Sequence, residues 1–232
     1  MSNSTRKSWL ANRFESGLAQ GLTRAYRMMQ VEPESYLRHL QTAHRLDVIS
    51  YAEMFAQPPV VLDSIANQTI RSAMRVAAAE GSGLGLFGFA SVLPDMAILA
   101  TISVQMMQKL SLIYGFPYGT DEDRAELWLA AATAFGLDVG KDLIEKELLE
   151  RLVPRLILRI SARMSAEMAE KAAAKIVPVL SSALGGVLNY YFVRQWGRRM
   201  KSLMRARHMA TREQLMLRGQ LPPAASLGVE LQ

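Results

Sequence analysis

The sequence predicts an all-α protein, a multi-helix bundle with two central Gly-rich apolar helical segments, and three observations carry that expectation. Apolar residues recur every three or four positions along most of the chain, the spacing of one helix face. Half of the 232 residues are hydrophobic but only 7% are aromatic, and the Ala, Leu and Met that fill the difference are strong helix formers when summed over long windows. No segment shows a defensible strand pattern, and no fixed-period repeat is visible. The length allows one domain or two small ones.

Taken in order, residues 1–33 form an amphipathic N-terminal helix with Trp9, Leu10, Phe14, Leu18 and Leu22 at helical spacing. This basic, Ser-containing start lacks the apolar run of a secretion signal. A transit peptide would share its Arg and Ser content, but here the apolar face continues into the body of the chain. Residues 34–218 form the main helical domain. Within it, Leu37, Leu40, Ala43, Leu46, Ile49 and Phe55 predict a helix over residues 34–57, closed by Pro58 and Pro59. A second helix is expected over residues 61–80, with Gly81 as its left-handed cap. A further helix enters at Ser91 and Pro94 and runs to Tyr114, followed by a turn at Gly115, Pro117 and Gly119. Thr120 then caps a helix that starts Asp121, Glu122, Asp123 and reaches Phe135. Beyond Gly140 an acidic and basic helix bends at Pro154, and a long last helix ends near Arg218. Residues 219–232 read as a flexible tail.

Two segments are apolar enough to raise the question of a membrane. Residues 81–108 carry Asp95 as their only charge, and residues 176–193 carry none. An Asp at the centre of a spanning helix costs roughly 2.5–3.5 kcal/mol, while each Leu, Ile, Phe or Val returns about 0.3–0.6. The apolar residues of the first segment therefore roughly cancel Asp95 and leave Pro94 and the glycines uncompensated. Thr101, Gln105, Gln108 and Lys109 share one side of the helix beyond, as on a half-buried helix. The second segment contains Pro178, Gly185, Gly186 and Asn189 and is barely long enough. Buried central helices, a reversibly inserting hairpin and a spanning helix all remain open on this reading, in that order of preference.

Catalytic and cofactor motifs fail on context. Gly83, Gly85 and Gly88 spell G-x-G-x-x-G, but a helix precedes them where a strand is required and no acid follows at the needed distance. The run from Gly136 to Asp142 falls one residue short of a P-loop and has Asp142 where Ser or Thr is needed. His39 and His44 are five apart, which does not suit a metal pair on one helix face, and Glu147 and Glu150 lie in a solvated, mixed-charge stretch. Asp95 suits a first-turn helix position or a buried group that fixes a Gly-rich turn. No catalytic residue, metal site or cofactor is expected. Cys is absent, which removes disulfides, thiolate ligands and thiol nucleophiles and makes a reducing compartment the natural setting.

The formal net charge of +6 points to an anionic partner. Arg194, Arg198, Lys201, Arg205, His208 and Arg212 step by four, three, four, three and four, which aligns them on one helix face. Trp196, Met200 and Leu203 lie opposite, so the helix reads as a basic amphipathic one suited to a membrane surface. Each such basic residue contributes about 1 kcal/mol near an anionic bilayer, so five give on the order of 5 kcal/mol. A solvated outer bundle face is the competing structural reading. Nucleic acid fits less well, because the stripe lacks interleaved aromatics and no DNA-binding pattern accompanies it.

Residues 35–210 resemble the EcsC family. The resemblance is carried by Ala77-Ala78-Ala79-Glu80-Gly81, the Gly-rich stretch with Gly83, Gly85 and Gly88, then Asp95 and Tyr114-Gly115, and later by Pro178, Gly185, Gly186 and Asn189. It implies a largely bacterial helical protein, named after an operon that encodes an ABC exporter, and it transfers no catalytic residues. The motif positions Gly81, Gly83, Gly85, Gly88, Asp95, Gly185, Gly186 and Asn189 become structural or lipid-contacting candidates. Arg194, Trp196, Arg198, Lys201, Arg205 and Arg212 become membrane-surface candidates. The expected protein is a non-enzymatic, lipid-interacting one, cytoplasmic and peripheral to the inner face of the cytoplasmic membrane, with anionic lipid or a membrane protein as partner. The alternatives are a cytoplasmic interaction module without lipid contact and, further back, a hydrolase.

Overall fold

The computed structural model describes residues 3–28, 31–84, 92–138, 149–174 and 182–221. These fold into α1 (Asn3–Arg27), α2 (Pro33–His44), a 3-10 turn (Tyr51–Ala56), α3 (Pro59–Leu84), α4 (Val92–Ile113), α5 (Asp121–Ala134), α6 (Leu149–Ala174) and α7 (Ser182–Leu217). No strand occurs among the described residues, and the protein is all-α.

α4 organises the bundle. It packs against α1 on one side and against α3 and α7 on the other, while α6 lies along α1 and α5 joins α6 to α7. Its residues Met96–Ile113 make the one described helix that is long and apolar enough to cross a membrane, and 72% of them are buried by the other helices. Leu99, Ala100, Met106, Leu110, Leu112 and Ile113 are essentially inaccessible. Each large apolar side chain buried this way contributes about 1.5–3 kcal/mol. Gly21 lets α1 settle directly on this helix, because a Cβ there would lie 2.7 Å from the Ala97 backbone and the Ala100 side chain. Leu18 and Leu22 of α1 are fully buried alongside, so the boundary expected between residues 33 and 34 does not separate two cores.

Several helix limits follow the local chemistry anticipated above. Thr120 and Asp123 form a reciprocal capping box at the start of α5, with bonds of 3.1 and 3.0 Å. Gly136 ends α5 at φ +71°, with its N–H and that of Leu137 returning to Thr133 and Ala132. This makes the P-loop near miss a helix terminus at its first glycine; its later part lies outside the described residues.

Two limits differ from expectation. The helix expected over residues 34–57 stops at His44, where Arg45 adopts φ 53° and its N–H caps the Leu40 carbonyl. Leu46 and Val48 then turn into the core, Gln41 holds the Val48 carbonyl at 2.7 Å, and the chain resumes as the short 3-10 turn. Core burial of two side chains here outweighs continued helical periodicity. α3 in turn begins at Pro59, where a missing N–H costs nothing, and runs through Gly81 to Leu84 instead of stopping.

Candidate functional site

α3 and α7 run antiparallel in a fixed register. Asp63 accepts from Arg205 Nε at 2.9 Å, Asn67 accepts from Lys201 Nζ at 3.0 Å, and Gly197 meets Ile70. Each step along α3 is matched by an equal step back along α7. Gly81 and Gly83 lie in the last turn of α3, and Gly185 and Gly186 in the first turns of α7. Gly85 and Gly88 lie outside the described residues. Asp95 falls in the first turn of α4, the favourable end of the helix dipole for an acid, but its side chain lies outside the described part. Asn189 is buried.

Asp63 is the centre of a polar cluster that joins α3, α4 and α7. Besides Arg205 it accepts the Tyr114 hydroxyl at 2.6 Å, and Lys201 Nζ stands 3.6 Å away. Burial pushes the Asp63 carboxyl up, but the bonds from Tyr114 and Arg205 and the charges of Lys201 and Arg205 outweigh it and hold it below its ordinary value. Burial and the same carboxylate raise the Tyr114 hydroxyl far above the usual phenol range. One turn further, His208 is inaccessible to solvent, with Nδ1 2.9 Å from the Tyr114 carbonyl. A carbonyl only accepts, so Nδ1 carries a proton and donates it to this bond. Burial lowers its basicity, with Arg212 and Arg205 adding to the effect. The ring stacks on Phe55 at 5.0 Å, and Arg212, itself buried, donates to the Gln57 carbonyl at 2.9 Å.

The basic stripe of α7 is therefore two different things along its length. Lys201, Arg205, His208 and Arg212 are engaged by Asp63, Asn67, Tyr114 and Gln57. Arg194 and Arg198 are exposed and make no ion pair among the described residues. Trp196, expected at a membrane margin, is instead 2% exposed in the core, stacked on Phe192 at 5.4 Å and edge-on to Phe135 at 5.8 Å. What stands beside the free arginines is a set of exposed apolar and aromatic residues not anticipated from sequence: Val187 at 54%, Tyr190 at 42% and Tyr191 at 42%. With Arg194 and Arg198 they span about 100° of one helix face by the helical repeat.

Asp63 and Tyr114 also escaped the sequence reading as a pair. They are 51 residues apart, and no local pattern couples them. The two histidines of α2 do come together: His44 sits at the helix end, and its ring meets that of His39 edge-on at 5.7 Å. No group of three or more His, Asp or Glu residues suited to a metal occurs among the described residues.

The sequence pattern of the EcsC protein family matches residues 20–209. The chain is 29% identical over 139 residues to protein EcsC of Bacillus subtilis (strain 168), a stretch covering 58% of each chain. It thus spans a little over half the length of that curated relative. No solved structure matches. With a family match running from the middle of α1 into the last turns of α7, the chain belongs to the EcsC protein family.

Proposed function

We propose that this protein is a non-enzymatic, peripheral membrane protein that binds anionic lipid surfaces through the first half of α7. The observation that carries this is the exposed face of Val187, Tyr190, Tyr191, Arg194 and Arg198. Tyrosine favours the boundary between headgroup and acyl chain, and arginine reaches phosphate with several donors at once. A single helix face combining the two suits reversible binding in the plane of a bilayer. Asp63 and the Tyr114 hydroxyl are occupied by each other and by Arg205, and His208 is inaccessible to solvent, which supports a structural use. The resemblance to a family named after an operon that encodes an ABC exporter supports, within this proposal, a role accessory to such an exporter. A protein partner on the same α7 face is the second reading, since exposed apolar residues beside arginines suit that as well.

Sedimentation with vesicles of phosphatidylglycerol and phosphatidylcholine tests the proposal. Wild-type protein should bind more weakly as salt rises, because exposed charges are screened within about 8 Å at physiological ionic strength. Arg194→Gln with Arg198→Gln should reduce the vesicle partition coefficient about tenfold or more, at roughly 1 kcal/mol per residue, and Tyr190→Ser with Tyr191→Ser should lower it further. Binding indifferent to salt and to all four substitutions removes this surface from consideration.

A further inference from the structure

An open cleft of about 690 Å³ lies between α2, α3 and α4. Arg71 and Arg75 of α3, Lys109 of α4, and His39 and His44 of α2 line it, together with the buried ring of Tyr36. No Asp or Glu among the described residues lines it. Along α3 the lining residues Gln68, Arg71, Ser72 and Arg75 recur at helical spacing, so one face of that helix is turned to the cleft. The opposite wall is α2, which supplies Tyr36, His39, Ala43 and His44. The left-handed Arg45 closes the helix immediately after His44, leaving that ring beside His39, which stacks on Tyr36 at 5.5 Å. The Lys109 ammonium stands 6.0 Å from the centre of the same tyrosine ring.

Several arginines of this protein meet acids. Arg199 pairs with Glu167, Arg205 with Asp63 and Arg207 with Glu126. Arg71 and Arg75 are exposed and have no ion-pair partner among the described residues. Like charges gathered in a concave site raise the local potential and favour an anion there. The volume suits a small molecule, not a bare ion. A shallower apolar depression formed by Val60, Val61 and Ile65 adjoins the cleft and shares His44 and Gln68 with it. We propose that the cleft binds an organic phosphate, held by Arg71, Arg75 and Lys109. The phosphate is that of a soluble phosphoester or of a lipid headgroup. The depression at Val60 and Ile65 offers room for an apolar substituent. This site is separate from the α7 surface and does not depend on it.

The chain has three histidines, and only His208 lies away from the cleft. Their ring carbon-bound protons in NMR therefore report on occupancy by location. The full chain is titrated with glycerol 3-phosphate, with dihexanoyl phosphatidic acid below its micelle concentration, and with glycerol as an uncharged control. Either phosphate should move His39 and His44 saturably and leave His208 in place. Equal affinity for both assigns a soluble phosphoester, and tighter binding of the lipid by tenfold or more assigns a headgroup. Arg71→Gln and Arg75→Gln should each weaken binding about tenfold, the value of one charge-assisted hydrogen bond. Both positions are exposed, so these variants keep the fold. Arg194→Gln with Arg198→Gln should leave the titration unchanged, which separates this site from the vesicle-binding surface. Shifts that survive the Arg71 and Arg75 substitutions, or no shift with either phosphate, would overturn the assignment.

Discussion

The two halves of α7 carry the same basic stripe and meet opposite fates. Up to Arg198 the arginines on that face stand in solvent beside exposed tyrosines. From Lys201 onward the side chains of the stripe are held by Asp63, Asn67, the Tyr114 carbonyl and the Gln57 carbonyl. Spacing on the helix is continuous across the change; what differs is the neighbour. The lower half faces the start of α3, where Asp63 and Asn67 supply acceptors, and the chain just before it, where Gln57 offers a free carbonyl. At the level of Arg194 and Arg198 no described acid reaches the stripe. Helical periodicity thus fixes the direction of a row of charges, while its availability depends on acceptors supplied from 94 to 155 residues away.

The sharpest way to break this comparison is at the boundary between the halves. A Cβ added at Gly197 would lie 2.8 Å from Met106 Sδ and 3.0 Å from two side-chain carbons of Ile70. A longer side chain there must push α7 off both α3 and α4, which the engaged lower half resists. Gly197→Leu should destabilise the protein by about 3 kcal/mol, the upper range for overpacking a tight contact, seen as a lower urea midpoint. A variant as stable as wild type would mean that α7 is not docked closely enough for its lower half to be committed.

Next in size is the loss of the shared acceptor. Asp63→Ala leaves the Tyr114 hydroxyl, Arg205 and Lys201 without their carboxylate. The site is only partly buried, and Arg205 is 48% exposed, so water recovers some of the cost. A loss of about 2 kcal/mol is expected, as for an orphaned polar cluster. Arg194→Ala in the upper half should fall within about 0.5 kcal/mol of wild type, as exposed substitutions do. Thermal unfolding of both variants checks the contrast, and equal losses would erase the distinction between the halves.

Much of the fold was legible because its determinants are local. The Thr120 cap, the turn at Gly115, the extent of α4 and the end of α7 near Arg218 each depend on a few neighbouring residues. The break after His44 was not legible. Leu46 and Val48 continue an apolar pattern whether the chain stays helical or turns into the core, and only the tertiary pocket decides. The candidate surfaces divide in the same way. Arg194 and Arg198 could be placed on an outer face by spacing, whereas Trp196 could not be told from an interfacial residue until Phe192 and Phe135 were seen around it. The cleft was hidden for a related reason. Five-residue spacing suggests separate faces for His39 and His44, yet their rings meet edge-on at the end of α2, and the wall they face is built by α3 and α4, far away in sequence.

His208 gives the last and smallest test, because it lies on the engaged half and its ring is held below its ordinary basicity. Its basicity is lowered from the ordinary 6.5 first by burial and then by Arg212 and Arg205, against the opposing pull of the Tyr114 carbonyl and Asp63. In the unfolded chain the ring takes its proton first as pH falls. The neutral buried form therefore contributes its full stability above about pH 6.5, and that stability is lost as pH falls through the lower folded value. Between pH 7 and pH 5.5 the unfolding midpoint of wild type should drop, with a slope from this group of at most about 1.4 kcal/mol per pH unit. His44 shifts in the same direction through burial and His39, so the contribution of His208 is isolated by comparison with His208→Asn. That variant keeps a donor for the Tyr114 carbonyl and removes the titration. Its stability should start lower at pH 7, from lost stacking on Phe55 and Tyr114, yet fall less steeply. Parallel curves for the two proteins would mean that His208 is as accessible to protons in the folded chain as in the unfolded one, and that the lower half of α7 is not sealed.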